Sequence, residues 1–126
     1  MMKMLLMFKR KPGMTAEQFR EYYETRHVPL ALRLFPYFKG YRRNYVCTDE
    51  TFNLAGKLIP VPTYDVVTEL TFESRVEFER MVRALEDPDV AKQIVDDEEC
   101  FMDRSASVAF LVDEAVTPPE RLRKLA

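Results

Sequence analysis

His27 is the single histidine of the chain, and an imidazole has few rivals as a proton shuttle near neutral pH. It follows Phe19 and Tyr23 at four-residue steps, which puts all three side chains on one stripe of a helix. Two aromatic members turn that stripe toward a core, and His27 with them. A helix C-terminus favours the charged ring, whereas apolar surroundings favour the neutral base. The same residue has a purely structural use, bonded to a backbone carbonyl and holding the helix end against Pro29.

Glu69 stands in the middle of a strand-like run, where a carboxylate needs solvent or a partner. Lining a cavity, it would be acid, base or partner to His27 or Arg43. On an open strand face it would be ion-paired with a neighbouring arginine. Tyr22, Tyr23, Tyr41, Tyr45 and Tyr64 carry phenolic donors suited to an oxygenated ligand, although such residues also fill cores and interfaces with one polar end satisfied. Arg26 would anchor a substrate carboxylate or remain an exposed helix-end arginine. The site drawn from these residues has His27 as acid/base, with Tyr23, Arg26, Tyr45, Tyr64 and Glu69 binding substrate.

Other chemistries find little support. Asp96, Asp97, Glu98, Glu99 and Asp103 form an acidic cluster with neither histidine nor EF-hand spacing, and read as a solvated helix end. There is no GxGxxG, Walker, GxSxG or HExxH motif, so no metal or cofactor is expected. Lys9-Arg10-Lys11 and Arg42-Arg43 are too short and dispersed for a nucleic-acid surface, in keeping with a formal charge of −2. Cys47 and Cys100 are isolated, which suits a reducing cytoplasm. The apolar run near Met1 is short and ends in three basic residues, unlike a signal peptide. No stretch approaches the roughly twenty apolar residues of a membrane span, so no membrane partner is expected.

The elements that must position these residues can be read in turn. A chain of 126 residues, 47% hydrophobic and 32% charged, has the size and composition of one domain with a sizeable core. Residues 3–9 form a strand ended by Lys11-Pro12-Gly13. Thr15 and Gln18 make a capping box that opens a helix. Pro29 disfavours the α conformation at Val28, so this helix should stop near His27 and a second begin at Pro29. Between 37 and 47, Tyr41, Arg43, Tyr45 and Cys47 alternate with Arg42, Asn44 and Val46 as a strand, with Gly40 at a bend or close approach. Residues 48–63 are a long connection of the kind that serves as a lid or partner contact. Tyr64 to Phe72 is a third strand. Ser74 and Glu77 cap a helix, and Asp87-Pro88 starts another. Residues 102–112 give the last strand, and a terminal helix runs from Glu120 to Leu125.

The order is βαββαβ, a ferredoxin-like α+β arrangement with a four-stranded antiparallel sheet. Helices cover one sheet face. Apolar residues on both faces of the third strand imply that the other face is covered too, most simply by a second copy.

Three segments carry a family resemblance. The run Phe8-Lys9-Arg10-Lys11-Pro12-Gly13-Met14-Thr15, followed by Phe19-Arg20-Glu21-Tyr22-Tyr23 and His27-Val28-Pro29-Leu30, resembles the opening signature of EthD domains. Tyr64 to Phe72 is similar to their third strand, and Asp97 to Asp103 to the segment before their last. Nearly the whole chain is covered, so 1–126 reads as a single EthD-like domain. The resemblance implies a dimeric α+β barrel, two ferredoxin-like subunits whose sheets face each other, each with a small cavity between sheet and helices. The wider superfamily includes cofactor-independent monooxygenases, muconolactone-type isomerases, haem-degrading enzymes and polyketide cyclases or dehydratases, so fold narrows chemistry little. Two functions follow as expectations. One is a cofactor-independent lyase, isomerase or oxygenase acting on a small oxygenated or aromatic metabolite, with His27 as general acid/base. The alternative is a non-catalytic small-molecule-binding accessory protein of a catabolic oxygenase system. A haem role rests on one histidine alone.

Overall fold

The computed structural model describes residues 1–123. Strands β1 (Met2–Phe8), β2 (Gly40–Tyr45), β3 (Val66–Phe72) and β4 (Val108–Val112) form one antiparallel sheet in the order β2-β3-β1-β4. This is the ferredoxin-like βαββαβ arrangement, an α+β fold. Register follows from the period of two. Met4, Leu6 and Phe8 pair with Leu70, Thr68 and Val66 on the inner face, while Leu5 and Met7 pair with Glu69 and Val67 on the outer one. Burial alternates along β3 in step, with Val66, Thr68, Leu70 and Phe72 buried and the residues between them half-buried. Gly40 permits a close approach, because a Cβ there would overlap Thr71 Oγ1 on the neighbouring strand and force that side chain to turn away.

Helix α1 (Ala16–Tyr22) opens on the expected capping box. Thr15 Oγ1 accepts the Gln18 N–H at 3.1 Å, and Gln18 Oε1 accepts the Thr15 N–H at 2.9 Å. The helix does not stop at His27. Tyr23–His27 form a π turn that leads directly into α2 (Val28–Leu34), with Val28 helical at φ −58 and ψ −49. The Val28 N–H reaches back to the Tyr23 carbonyl, and the following Pro29 has no N–H to place. The wider turn relaxes the crowding that a proline ring imposes on the turn before it, so the local rule for residues preceding proline is overridden. His27 therefore lies inside a continuous helical segment, where the field of a helix end does not reach it.

Helices α3 (Arg75–Ala84) and α4 (Pro88–Glu99) complete the layer. Asp87 caps α4 by accepting the Asp89 N–H at 2.9 Å, with Pro88 at the first position. Ser74 has the extended backbone of a cap but its side chain makes no capping bond, and Glu77 lies 3.6 Å from Arg80 instead. The last strand begins at Val108 rather than 102, because Met102 bridges to Arg10 and a 3₁₀ turn occupies Arg104–Ala106. At the end of the chain a 3₁₀ turn spans Pro119–Arg121, and residues 124 and 125 of the expected terminal helix lie outside those described.

Two clusters make the core. Phe8, Phe19, Tyr23, Val66, Phe101 and Met102 form one, and Phe35, Leu70, Phe72, Met81 and Ile94 the other. The connection 48–63 folds back on itself through the Phe52–Leu58 bridge and the Ile59 N–H to Thr51 carbonyl bond at 2.7 Å. It leaves Phe52, Leu54 and Leu58 exposed. No helix among the described residues is long and apolar enough to cross a membrane.

Candidate active site

A cavity of about 300 Å³ lies between sheet and helices and takes its walls from both core clusters. Most of the wall is apolar, from Met4, Leu6, Phe35, Leu70, Met81 and Ile94. The polar groups that reach it are His27, Tyr23, Tyr41, Thr68, Glu98 and Arg104. No residue of the 48–63 connection lines it, so within one subunit that segment is not its lid.

The π turn presents His27 to this space. The ring is 5% exposed and boxed by the rings of Phe8, Tyr23 and Phe101, with centroid separations of 6.3, 5.1 and 5.0 Å. Its Nδ1 lies 2.6 Å from Oδ2 of Asp97 on α4. An ionised carboxylate only accepts, so Nδ1 carries the proton and donates it. Nε2 is left with no hydrogen-bond partner among the described residues, on a ring that lines the cavity. Asp97 is itself fixed, since Tyr22 Oη donates to its other oxygen at 2.9 Å and stacks on Phe101. Burial first, then hydrogen bonding to its neighbours, pushes the Tyr22 hydroxyl well above the usual phenol range, which keeps it a donor.

Tyr23 contributes a second polar feature. Tyr41 Oη donates to its oxygen at 3.1 Å, leaving the Tyr23 proton for Thr68 Oγ1 at 2.8 Å. Burial pushes the Tyr23 hydroxyl up to about 12, and that of Tyr41 further still, so both phenols stay neutral and able to donate. This chain of three hydroxyls runs along the cavity wall beside His27.

Of the residues singled out from sequence, the fold brings together His27 and Tyr23. Glu69 is on the outer sheet face, paired with Lys3 Nζ at 3.1 Å and accepting from Asn44 at 3.0 Å. Those two hydrogen bonds, Asn44 first, hold its carboxyl below the usual range. Tyr45 Oη donates to Glu24 at 2.5 Å, and Arg43 forks onto the same carboxylate at 2.7 and 2.8 Å. Tyr64 is half-buried just before β3 and does not line the cavity. Arg26 is exposed on an open polar groove of about 550 Å³ with Lys11, Gln18 and Glu21, a larger hollow that holds no buried acid–base group.

Asp97 and Glu98 are the residues that sequence reasoning missed. The acidic cluster is not uniformly solvated, because Ile94, Asp97, Glu98 and Phe101 form an inward stripe at i, i+3, i+4 and i+7. That spacing was the available signal. Asp96 and Glu99 point to solvent as expected. Among the described residues no group of three or more His, Cys, Asp and Glu side chains is placed to hold a metal ion.

Residues 11–105 match the family model of the EthD domain. The chain belongs to the EthD family. Solved structures agree with the fold. An ethyl tert-butyl ether degradation (EthD) family protein from Bacillus halodurans superposes with a TM-score of 0.60 at 17% identity, over 91% of this chain and 100% of that one. An EthD-like protein from Ralstonia eutropha gives 0.61 at 17% identity, over 95% and 96%. A dimeric ferredoxin-like protein from Thermobifida fusca gives 0.50 at 15% identity, over 88% of each chain. No curated protein matches this EthD domain.

Proposed function

We propose that this EthD domain is a cofactor-independent enzyme of lyase, isomerase or oxygenase type, acting on a small oxygenated or aromatic metabolite held in the 300 Å³ cavity. The observation that carries the reading is the Asp97–His27 pair, tied at Nδ1 and unpaired at Nε2 on a ring that lines a largely apolar cavity. The three reaction classes share an opening step, removal of a proton from a carbon or hydroxyl beside an oxygenated group. Nε2 of His27 is the base, and Asp97 stabilises the imidazolium that forms. The Tyr41–Tyr23–Thr68 chain ends on the Thr68 hydroxyl, whose proton is free for a substrate oxygen. A second copy of the chain covers the outer sheet face, where Leu5, Met7, Val67, Val108 and Phe110 share one side with half-buried or exposed surfaces. The Thermobifida fusca relative is described as dimeric, which supports this part of the reading.

The test uses acetophenone, an aromatic ketone that fits the volume, in deuterium oxide. Exchange at its methyl carbon, followed by NMR, is expected with the wild-type protein and is lost to buffer level in His27→Ala. Binding without exchange would identify a non-catalytic carrier, the accessory reading of this family member.

A further inference from the structure

We infer that Glu98 is a second catalytic residue of this cavity, a carboxylic acid that protonates the oxygen of a ketone substrate while His27 removes a proton from the adjacent carbon. This rests on the acid–base reading of His27. It adds a substrate class, enolisable ketones with an apolar body, and a partner residue that sequence analysis had placed in solvent.

The placement comes first. Glu98 follows Asp97 on α4 and lines the cavity with His27. It also lines an adjoining hollow of about 540 Å³ that shares Leu6, Phe8, Arg104 and Ala109 with the cavity. Glu98 therefore stands where the cavity meets its outer mouth. Its side chain is 22% exposed, and Arg104 Nε donates to Oε1 at 3.2 Å. Oε2 has no hydrogen-bond partner among the described residues.

The charges are arranged for transfer in this direction. Taking a proton makes His27 positive, and Asp97 is bonded behind it. Giving one makes Glu98 negative, and Arg104 is bonded beside it. Each residue thus faces a fixed charge of the sign that its product form needs, so neither has to wait for water to reorganise. Before transfer, with His27 neutral, burial raises the Glu98 carboxyl above the ordinary value of 4.5, against the opposing pull of Arg104. It stays protonated over a wider range than an exposed glutamate. The titratable groups facing it are His27 from the π turn, Arg104 from the 3₁₀ turn and Asp97 on its own helix.

The step balances without an oxidant or reductant. The C–H bond beside the carbonyl breaks and its proton passes to Nε2. The electron pair left on carbon becomes the C=C bond of the enol. The carbonyl π pair takes the Glu98 proton as a new O–H bond, leaving a carboxylate and an imidazolium.

Acetophenone exchange again provides the measurement, now with Glu98→Gln and Arg104→Ala beside wild type and His27→Ala, each checked for an unchanged circular-dichroism spectrum. Glu98→Gln is expected to lower exchange by about a hundredfold or more, with acetophenone affinity held within about threefold. Arg104 acts as a positioning residue at the exposed mouth. Arg104→Ala should move the Glu98-dependent limb of the pH–rate profile upward, because a charge that pulls the carboxyl down is gone. Wild-type exchange in Glu98→Gln, with His27→Ala at buffer level, would overturn the role of Glu98 and leave that of His27 standing. A wild-type protein no faster than buffer would overturn both.

Discussion

Nδ1 of His27 and Oδ2 of Asp97 lie 2.6 Å apart although 70 residues separate them in the chain. The pair joins the π turn to the last turn of α4, and Tyr22 closes it from behind. In Asp97→Asn the side chain keeps its shape but loses its charge, and the amide can present N–H to the ring and favour the wrong tautomer. Acetophenone exchange should fall by about a hundredfold or more while binding is retained. An unchanged rate in this variant would show that Asp97 is only a tether.

Much of the fold was legible because its determinants are local. Thr15 with Gln18, Asp87 with Pro88, and the alternation from Tyr41 to Tyr45 each act within a few residues. The candidate site was less legible, for two physical reasons. Whether Glu69 faces a cavity or solvent depends on which sheet face the helices cover, and strand periodicity does not say. Asp97 and Glu98 were masked by acidic neighbours, although their spacing from Ile94 and Phe101 marks them as inward. The proline rule misplaced the helix end because a five-residue turn is rarer than a helix stop, yet that turn is what aims His27.

The buried hydroxyl chain gives a stability prediction. Tyr23→Phe removes the acceptor of Tyr41 and the donor to Thr68, with no change in packing volume. It should cost about 1–3 kcal/mol, read from urea denaturation. Thr68→Val in the Tyr23→Phe background should then cost less than Thr68→Val alone, because the interaction is already lost. Additive costs would show that the two hydroxyls are not coupled.

Glu24 predicts a pH dependence. Hydrogen bonds from Arg43, and then from Tyr45, hold its carboxyl below the ordinary 4.5 despite partial burial. A depressed folded-state value means that stability is fully present above 4.5 and is lost as pH falls through 4.5 toward the lower folded value. Glu24→Gln should be less stable than wild type near neutrality, and the gap should narrow through that acid window. The check is the midpoint of urea unfolding for both proteins across the window; a gap that stays constant with pH would contradict the linkage.

The outer sheet face sets the last prediction. Leu5 is registered with Phe110 of β4 on one side and Glu69 of β3 on the other, so apolar and charged groups meet along one surface. Lys3 answers Glu69 there, and also pairs with Glu114. A second copy seated on this surface removes Phe110 and Leu5 from water, whereas a lone subunit leaves Phe110 41% exposed. Covering that exposed part of the phenylalanine is favourable by about 0.6–1.2 kcal/mol, and a dimer gains it twice. Phe110→Asp places a charge on the face proposed as the contact and leaves the inner core untouched. Sedimentation should therefore give twice the chain mass for wild type and the single chain mass for Phe110→Asp, with matching circular-dichroism spectra. A wild-type monomer, or a variant that still pairs, would rule out this face as the contact.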